Sequence, residues 1–230
     1  AEKPQIRALS PDEARRLLKA VGGERLEALY WTALLLGLRQ GELLGLRWQD
    51  VDLEAQTLRV AGAIQRQKRP DGPSALVFVP TKTHAGMRVL PLPPVLCTIL
   101  REHKARQEEE RTINGWQEHN LIFPSERGTP IEATNLVARS FKPALKRAGL
   151  PDMPFHGLRH SAATLLSALG VDLNTVSAIL GHTSAGFTAS VYGHALTEMQ
   201  QQAVLGLGEL LQDPGRVLEL PPQKIKRGRW

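Results

Sequence analysis

The sequence predicts a mainly α-helical protein with one small antiparallel β-sheet, an α+β fold. Most of the chain carries apolar residues at the three- and four-residue spacing of amphipathic helices. Between residues 57 and 91, β-branched residues form short runs separated by turn-forming residues, which indicates strands. The chain of 230 residues, 42% of them hydrophobic, is long enough to bury a sizeable core.

Helix-capping and helix-breaking residues delimit the first three helices. Ser10-Pro11-Asp12-Glu13 is a typical helix start, with a capping serine and a glutamate three residues later. Gly22-Gly23 ends this helix, and apolar periodicity predicts a second over residues 24–36. Gly37 breaks the second helix, and residues 39–46 form a short third one.

The middle of the chain predicts three short strands, and helices follow them. The strands are expected around Leu58–Ile64, Leu76–Val79 and Arg88–Leu90, with a turn at residues 70–73 between the first two. Lys82 lies at the turn between the last two strands. The later helices are expected at about residues 95–111, 133–148, 157–169, 173–180 and 197–211.

The charge balance favours a polyanionic partner. The formal net charge is +6 at pH 7, and basic proteins gain affinity for nucleic acids through counterion release. Cys97 is the single cysteine, which excludes an internal disulfide and a cysteine-rich metal site and favours a reducing cytoplasm. No apolar run reaches the roughly 20 residues of a membrane helix, and no secretory signal is visible.

Short polar motifs contain two arginines, a lysine, two histidines and a tyrosine, a set that can cleave a phosphodiester without a metal. Arginine suits the charge that develops on the non-bridging phosphate oxygens, because its planar fork bonds two oxygens and stays charged. A histidine or lysine can move protons, and a histidine can donate a hydrogen bond to phosphate. The candidate catalytic residues are Arg39, Lys82, His156, Arg159, His182 and Tyr192.

The choice of nucleophile is narrow because the chain has only two tyrosines, Tyr30 and Tyr192. A phenolate, with a pKa of about 10, is a better leaving group than an alkoxide and can be displaced again in the reverse step. Lys82 is the candidate proton donor to the departing sugar oxygen, and His156 the group that accepts a proton or orients the tyrosine.

Five of these motifs, in this order, resemble the catalytic motifs of tyrosine recombinases of the phage-integrase type. The resemblance extends from about Ser10 to Gln202 and implies the recombinase catalytic-domain fold. The motifs are Gly37-Leu38-Arg39-Gln40-Gly41-Glu42-Leu43, Thr81-Lys82-Thr83, His156-Gly157-Leu158-Arg159-His160, Leu180-Gly181-His182 and Val191-Tyr192-Gly193-His194.

The resemblance implies a site-specific DNA recombinase that needs neither a metal nor ATP. Arg39, Lys82, His156, Arg159, His182 and Tyr192 would form the active site, and Glu42 and His160 would support it. Members of the family form a 3′-phosphotyrosyl bond, release a 5′-hydroxyl and exchange strands as a tetramer on double-stranded DNA. The resemblance also implies a protein of the bacterial cytoplasm, encoded by the bacterium or by a phage.

The resemblance also implies a division of the chain. Residues 1–9 are expected to be the remnant of a linker, residues 10–211 the catalytic domain, and residues 212–230 a basic, flexible tail. Members of the family usually carry a helical core-binding domain ahead of the catalytic one. The full-length protein is therefore expected to have such an N-terminal domain.

Three other interpretations remain open at this point. A type IB topoisomerase uses the same chemistry on one strand without exchange, and a non-catalytic DNA-binding relative would keep the fold alone. A metal hydrolase is a third interpretation, because His156 and His160 have the i, i+4 spacing of zinc ligands on a helix. No glutamate lies between these histidines, and Arg159 would place a positive charge beside the metal.

Overall fold

The computed structural model describes residues 7–69, 72–81, 87–116, 120–181 and 189–212, with residues 69 and 189–197 described by their backbone. Helices α1 to α9 span Pro11–Ala20, Glu27–Leu36, Gln40–Leu44, Pro94–Asn114, Ala133–Leu136, Lys142–Arg147, His156–Ala168, Leu173–Leu180 and Ala189–Gln212. Strands β1 to β5 span Val51–Asp52, Thr57–Val60, Gly62–Arg69, Gly72–Pro80 and Arg88–Pro91. Within these ranges no helix is long and apolar enough to cross a membrane.

Helix α2 forms the centre of the helical core. Of its ten residues, all but Glu27 and Trp31 are buried, so it is apolar on nearly every side, as a fully enclosed helix must be. It contacts α1, α3, α4, α7 and α9. Three of these helices, α3, α7 and α9, carry sequence motifs and are therefore packed around one common helix.

Local signals in the sequence set several helix ends. Ser10 caps α1 with both hydrogen bonds of a capping box, and the Asp172 carboxylate caps α8 by accepting from two backbone N–H groups. Gly37 ends α2 in the left-handed conformation at φ +56°, which glycine adopts without the strain of a Cβ.

The strands form two small antiparallel sheets instead of the single sheet predicted. One has the order β1-β2-β5, and the other is a two-stranded ribbon of β3 and β4. The chain changes sheets at Ala61, since Val60 pairs with Arg88 in the first sheet whereas Gly62 pairs with Pro80 in the ribbon. Strand propensity identifies the extended segments, but it does not specify which segment each one pairs with.

The predicted helix over residues 133–148 contains a π-helical turn. Residues Val137–Phe141 form this turn between α5 and α6. Its Ser140 Oγ lies 2.6 Å from Tyr30 Oη, and the Phe141 ring stacks on Tyr30 with centroids 6.3 Å apart. These two contacts with α2 favour the wider turn, which the apolar spacing did not reveal.

The last helix begins earlier than predicted. Apolar spacing placed its start near Thr197, but α9 begins at Ala189 and includes Tyr192 in its first turn. The added residues include Val191 and Gly193, which have low intrinsic helix propensity. Extending an existing helix needs little propensity, because each added residue gains one hydrogen bond without a new nucleus.

The structure describes residues 7–9 of the expected linker and only residue 212 of the expected tail. Residues 213–230 of the expected tail and residues 1–6 of the expected linker lie outside the described residues. Ala8 and Leu9 are buried, and the backbone N–H of Leu9 donates to Ser161 Oγ at 2.8 Å. This part of the N-terminal segment is thus attached to α7.

We predict that Gly37→Ala destabilises the fold more than Gly23→Ala. Both glycines have positive φ, but a Cβ at Gly37 would lie 2.4 Å from Leu180 Cδ2, whereas one at Gly23 meets nothing within 4 Å. Backbone strain of about 1–2 kcal/mol is common to both variants. Overpacking adds about 1–3 kcal/mol at Gly37 alone, measurable by urea unfolding. Equal losses in the two variants would contradict the packing shown between α2 and α8.

Candidate active site

Arg39 and Glu42 form the first part of the site. Arg39 is the N-cap of α3, in extended conformation directly after the turn at Gly37. The Glu42 carboxylate accepts from the Arg39 backbone N–H at 3.1 Å and from Arg39 Nη1 at 2.9 Å. The Glu42 side chain is 9% exposed and that of Arg39 is 49% exposed. The guanidinium of Arg39 is therefore held at one edge and open to solvent elsewhere.

Two glycines fix α3 on the ribbon. A Cβ at Gly41 would lie 3.0 Å from the Ile64 carbonyl oxygen, and one at Gly45 would lie 3.0 Å from Ala63 Cα. Glycine at these positions, one helical turn apart, lets α3 approach the backbone of β3 closely. The start of α3, and with it Arg39, is thereby held against β3.

Arg88 is a second cation on Glu42, and the sequence reasoning missed it. From the start of β5, its Nη2 donates to Glu42 Oε2 at 2.9 Å and its Nη1 to Oε1 at 3.4 Å. The structure explains the position of Arg88, because side chains alternate in a strand and Val89 is exposed while Leu90 is buried. Arg88 therefore shares the inward face with Leu90, an unusual place for an arginine unless it has a partner.

Glu42 carries its charge because of these two arginines. Burial is the largest influence on its pKa and raises it, but the hydrogen bond and charge of Arg88 and the hydrogen bonds of Arg39 together outweigh burial. The net result is a pKa below the ordinary glutamate value. Glu42 is thus an anion at neutral pH and can orient both arginines.

Arg159 enters the site from α7. Its Nη1 donates to the Gly37 carbonyl oxygen at 2.6 Å, and it is 6% exposed. Among the described residues no carboxylate forms an ion pair with it. Burial and the positive charges of Arg39 and Arg88 lower the pKa of Arg159 to about 10, so it remains a cation at neutral pH. A buried guanidinium without a paired carboxylate favours the binding of an anion.

The end of α8 completes the described site. Gly181 ends this helix at φ +72°, and its carbonyl oxygen accepts from Arg39 Nη2 at 3.2 Å. Leu180 packs against Gly37, where a Cβ would approach its Cδ2 to 2.4 Å. The motifs around Arg39 and Gly181, far apart in the sequence, are therefore in direct contact.

His156 and His160 lie on the first turns of α7, at the same end as Arg159. Partial burial and the charges of Arg159, His160 and Arg39 lower the pKa of His156 below its ordinary value of 6.5. His156 is accordingly neutral at pH 7 and can accept a proton. Both histidine side chains are exposed, and in the described part of the chain they belong to no group of three potential metal ligands.

The structure describes no side chain for three of the expected residues, Lys82, His182 and Tyr192. Lys82 and His182 lie outside the described residues. The described chain reaches Thr81 before Lys82 and Gly181 before His182. Tyr192 lies in the first turn of α9, whose contacts include α7, α8 and β5.

The other tyrosine is unsuited to act as a nucleophile. Tyr30 is fully buried in α2, and its hydroxyl is hydrogen-bonded to Ser140. Burial raises the pKa of Tyr30 to about 12, the Ser140 hydrogen bond opposing this increase. Burial, the larger effect, keeps the Tyr30 oxygen protonated and away from solvent.

The sequence is similar to those of known proteins. Residues 7–199 match the sequence profile of the phage integrase family. A tyrosine recombinase XerC-like protein from Caldanaerobacter subterraneus subsp. tengcongensis is 38% identical over 216 residues, covering 90% of this chain and 55% of that protein. An integrase from Streptomyces ambofaciens is 34% identical over 223 residues, covering 91% of this chain and 55% of its own length. The chain belongs to the phage integrase family, and it spans about half the length of the curated relatives it matches.

Solved structures agree on the fold. The Tn1549 transposon integrase in complex with transposon right end DNA has a TM-score of 0.67 at 22% identity, covering 88% of this chain and 68% of that one. The XerA recombinase has a TM-score of 0.61 at 21% identity, covering 93% of this chain and 66% of that one. The fold expected from the five motifs is confirmed.

We predict that Glu42→Gln destabilises the fold by about 3–5 kcal/mol at pH 7, because it leaves the buried Arg88 without a counter-charge. The pKa of Glu42 is lowered in the folded state, so its charge stabilises the fold above the unfolded-state pKa and this contribution is lost as pH falls through the folded value. The cost of the substitution should therefore shrink in acid. Urea unfolding from pH 7 down to pH 3 measures it.

The matched control is Glu54→Gln. Glu54 is 94% exposed and its contact with Arg101 is 3.5 Å long. Its replacement should change stability by no more than about 0.5 kcal/mol. A Glu42→Gln variant as stable as this control at pH 7 would show that the two arginines do not depend on the carboxylate.

Proposed function

We propose that this chain is the catalytic part of a site-specific DNA recombinase, an integrase that cleaves and rejoins strands through a 3′-phosphotyrosyl intermediate. One observation carries the proposal: two arginines from opposite halves of the chain lie together in a member of the phage integrase family. Arg39 donates to the Gly181 carbonyl oxygen, and Arg159 donates to the Gly37 carbonyl oxygen. Such a cluster, with one side open, fits the charge of a phosphodiester.

The chemistry assigned to these residues is a transesterification. Tyr192 Oη attacks the scissile phosphorus while His156 accepts its proton, and the bond between phosphorus and the 5′ oxygen breaks. Lys82 donates a proton to the departing 5′ oxygen, which becomes a free hydroxyl. Arg39 and Arg159 bind the non-bridging oxygens as their charge grows. In the reverse step a 5′-hydroxyl displaces the tyrosine, so the phosphoester bond energy is retained.

The remaining candidates support this step. His182 is proposed to donate a hydrogen bond to a phosphate oxygen, and it directly follows Gly181, whose carbonyl contacts Arg39. Glu42 orients Arg39, and His160 lies one turn beyond His156 on α7. Residues 10–211 would form the catalytic domain and residues 212–230 a basic tail.

The substrate is proposed to be double-stranded DNA, with other recombinase subunits assembled on it. The family and the structural likeness to an integrase solved with DNA support this substrate. The net charge of +6 is consistent with a polyanionic partner. A tetramer in the cytoplasm of a bacterial cell is the assembly and location that the family favours.

We predict that wild type forms a covalent adduct with nicked DNA carrying a candidate site, and that Tyr192→Phe does not. The nick lets the cleaved fragment diffuse away, which traps the protein–DNA bond for detection on a denaturing gel in EDTA. Tyr30→Phe is the matched control, because it removes the other tyrosine hydroxyl of the chain from a buried site. Tyr30→Phe should keep the adduct.

Each outcome of this experiment separates the alternatives. An adduct followed by strand exchange supports a recombinase, whereas relaxation of supercoils without exchange would indicate a topoisomerase. DNA binding without an adduct would indicate a non-catalytic relative. An adduct lost in Tyr30→Phe and retained in Tyr192→Phe would overturn the assignment of the nucleophile.

We also predict an acidic limb in the pH–rate profile of adduct formation, with its midpoint below 6.5. Neutral His156 is the proton acceptor, and its lowered pKa keeps it neutral at pH 7 and charges it only at lower pH. His156→Gln should lower the rate by about 10²–10⁴-fold and abolish this limb. A limb that persists unchanged in His156→Gln would assign the titration to another group.

A further inference from the structure

Arg88 lies on one segment of the proposed site and contacts two others. Its Nε donates to the Ile179 carbonyl oxygen at 3.0 Å, next to the end of α8. Its two Nη atoms reach the Glu42 carboxylate on α3. It is itself the first residue of β5, and the chain immediately before that strand carries Lys82. One side chain therefore joins the segments that carry Arg39, Lys82 and His182.

The guanidinium of Arg88 is enclosed, and each of its three nitrogens donates a hydrogen bond. The side chain is 9% exposed, as is that of Glu42. A Cβ at residue 181 would lie 2.5 Å from Arg88 Nη1 and 2.7 Å from its Cζ. The guanidinium thus fills the space beside Gly181, and this packing fixes the backbone directly ahead of His182.

Arg88 and Arg39 are linked through Glu42. Arg39 and Arg88 share the single carboxylate, with each Glu42 oxygen accepting from both. Arg88 takes up much of the negative charge of Glu42, so the carboxylate orients Arg39 without neutralising it. Without Arg88, Glu42 would pair with Arg39 alone and hold it in a closed ion pair.

We propose that Arg88 is a positioning residue for the strand-cleavage reaction, one that sets the orientation and free charge of Arg39 through Glu42. This inference rests on the proposed function. Arg88 touches Glu42 and backbone groups, so its influence on the phosphate is indirect. Arginine is required because a lysine ammonium cannot bond both carboxylate oxygens and a carbonyl oxygen from one planar group.

The test compares two nicked DNA substrates, one with an ordinary scissile phosphate and one with a neutral methylphosphonate there. The ordinary substrate needs the full positive charge of the arginine cluster, and the methylphosphonate needs less. Arg88→Gln should slow adduct formation by about 10²-fold on the phosphodiester, the typical cost of a misplaced catalytic group, and by less than about 10-fold on the methylphosphonate. Arg88→Lys should lose about 10-fold with the same selectivity.

Arg59→Gln is the matched control. Arg59 lies on β2, the strand paired with β5, and binds the buried carboxylate of Asp50 at 2.6 Å, outside the proposed site. It should leave the rates on both substrates within about 2-fold of wild type. Urea unfolding of each variant identifies losses that come from instability, and Arg88→Lys provides the measurement if Arg88→Gln does not fold.

The outcomes are distinct. Equal losses on the two substrates, or an Arg88→Gln rate within about 2-fold of wild type on the phosphodiester, would overturn the positioning role and leave the proposed function intact. An adduct absent from wild type itself would overturn both. A loss confined to the charged phosphate supports both.

Discussion

The Glu42 carboxylate between Arg39 and Arg88 is the interaction on which the rest of the site depends. A buried carboxylate is costly unless opposite charges and hydrogen bonds surround it, and these two arginines supply both. Each arginine also binds a backbone carbonyl at the end of α8. Moving α3 or β5 would thus leave the Glu42 charge without a partner, and moving α8 would break a hydrogen bond of each arginine.

Gly37 joins the packing of the core to the electrostatics of the site. Its carbonyl oxygen binds Arg159, and its missing side chain leaves the space that Leu180 fills. Three guanidinium groups and one carboxylate consequently lie together at the edge of an apolar core, with an excess of positive charge. Their mutual repulsion is offset by the burial of α2 and its neighbours, so the packing of the fold holds the proposed site in place.

Much of this arrangement could be predicted from local sequence signals. Ser10, Gly37 and Asp172 set helix ends through caps that act within four residues, and the family motifs placed Arg39 beside Glu42. The role of Arg88 was missed because it depends on a partner 46 positions earlier in the chain. The π-helical turn at Ser140 and the change of sheet at Ala61 likewise depend on distant contacts that periodicity does not encode. The early start of α9 was missed because helix propagation outweighed the low propensity of Gly193.

The change of sheet at Ala61 separates the pairing of β2 with β5 from the far end of the ribbon of β3 and β4. The ribbon of β3 and β4 is closed at its base by the pairing of Gly62 with Pro80 and by the hydrogen bond from Thr81 N–H to the Ala61 carbonyl oxygen. Residues gained or lost at the far end of the ribbon would leave the pairing of Val60 with Arg88 unchanged. The far end of the ribbon can therefore vary in length and charge while the geometry of the proposed site is kept.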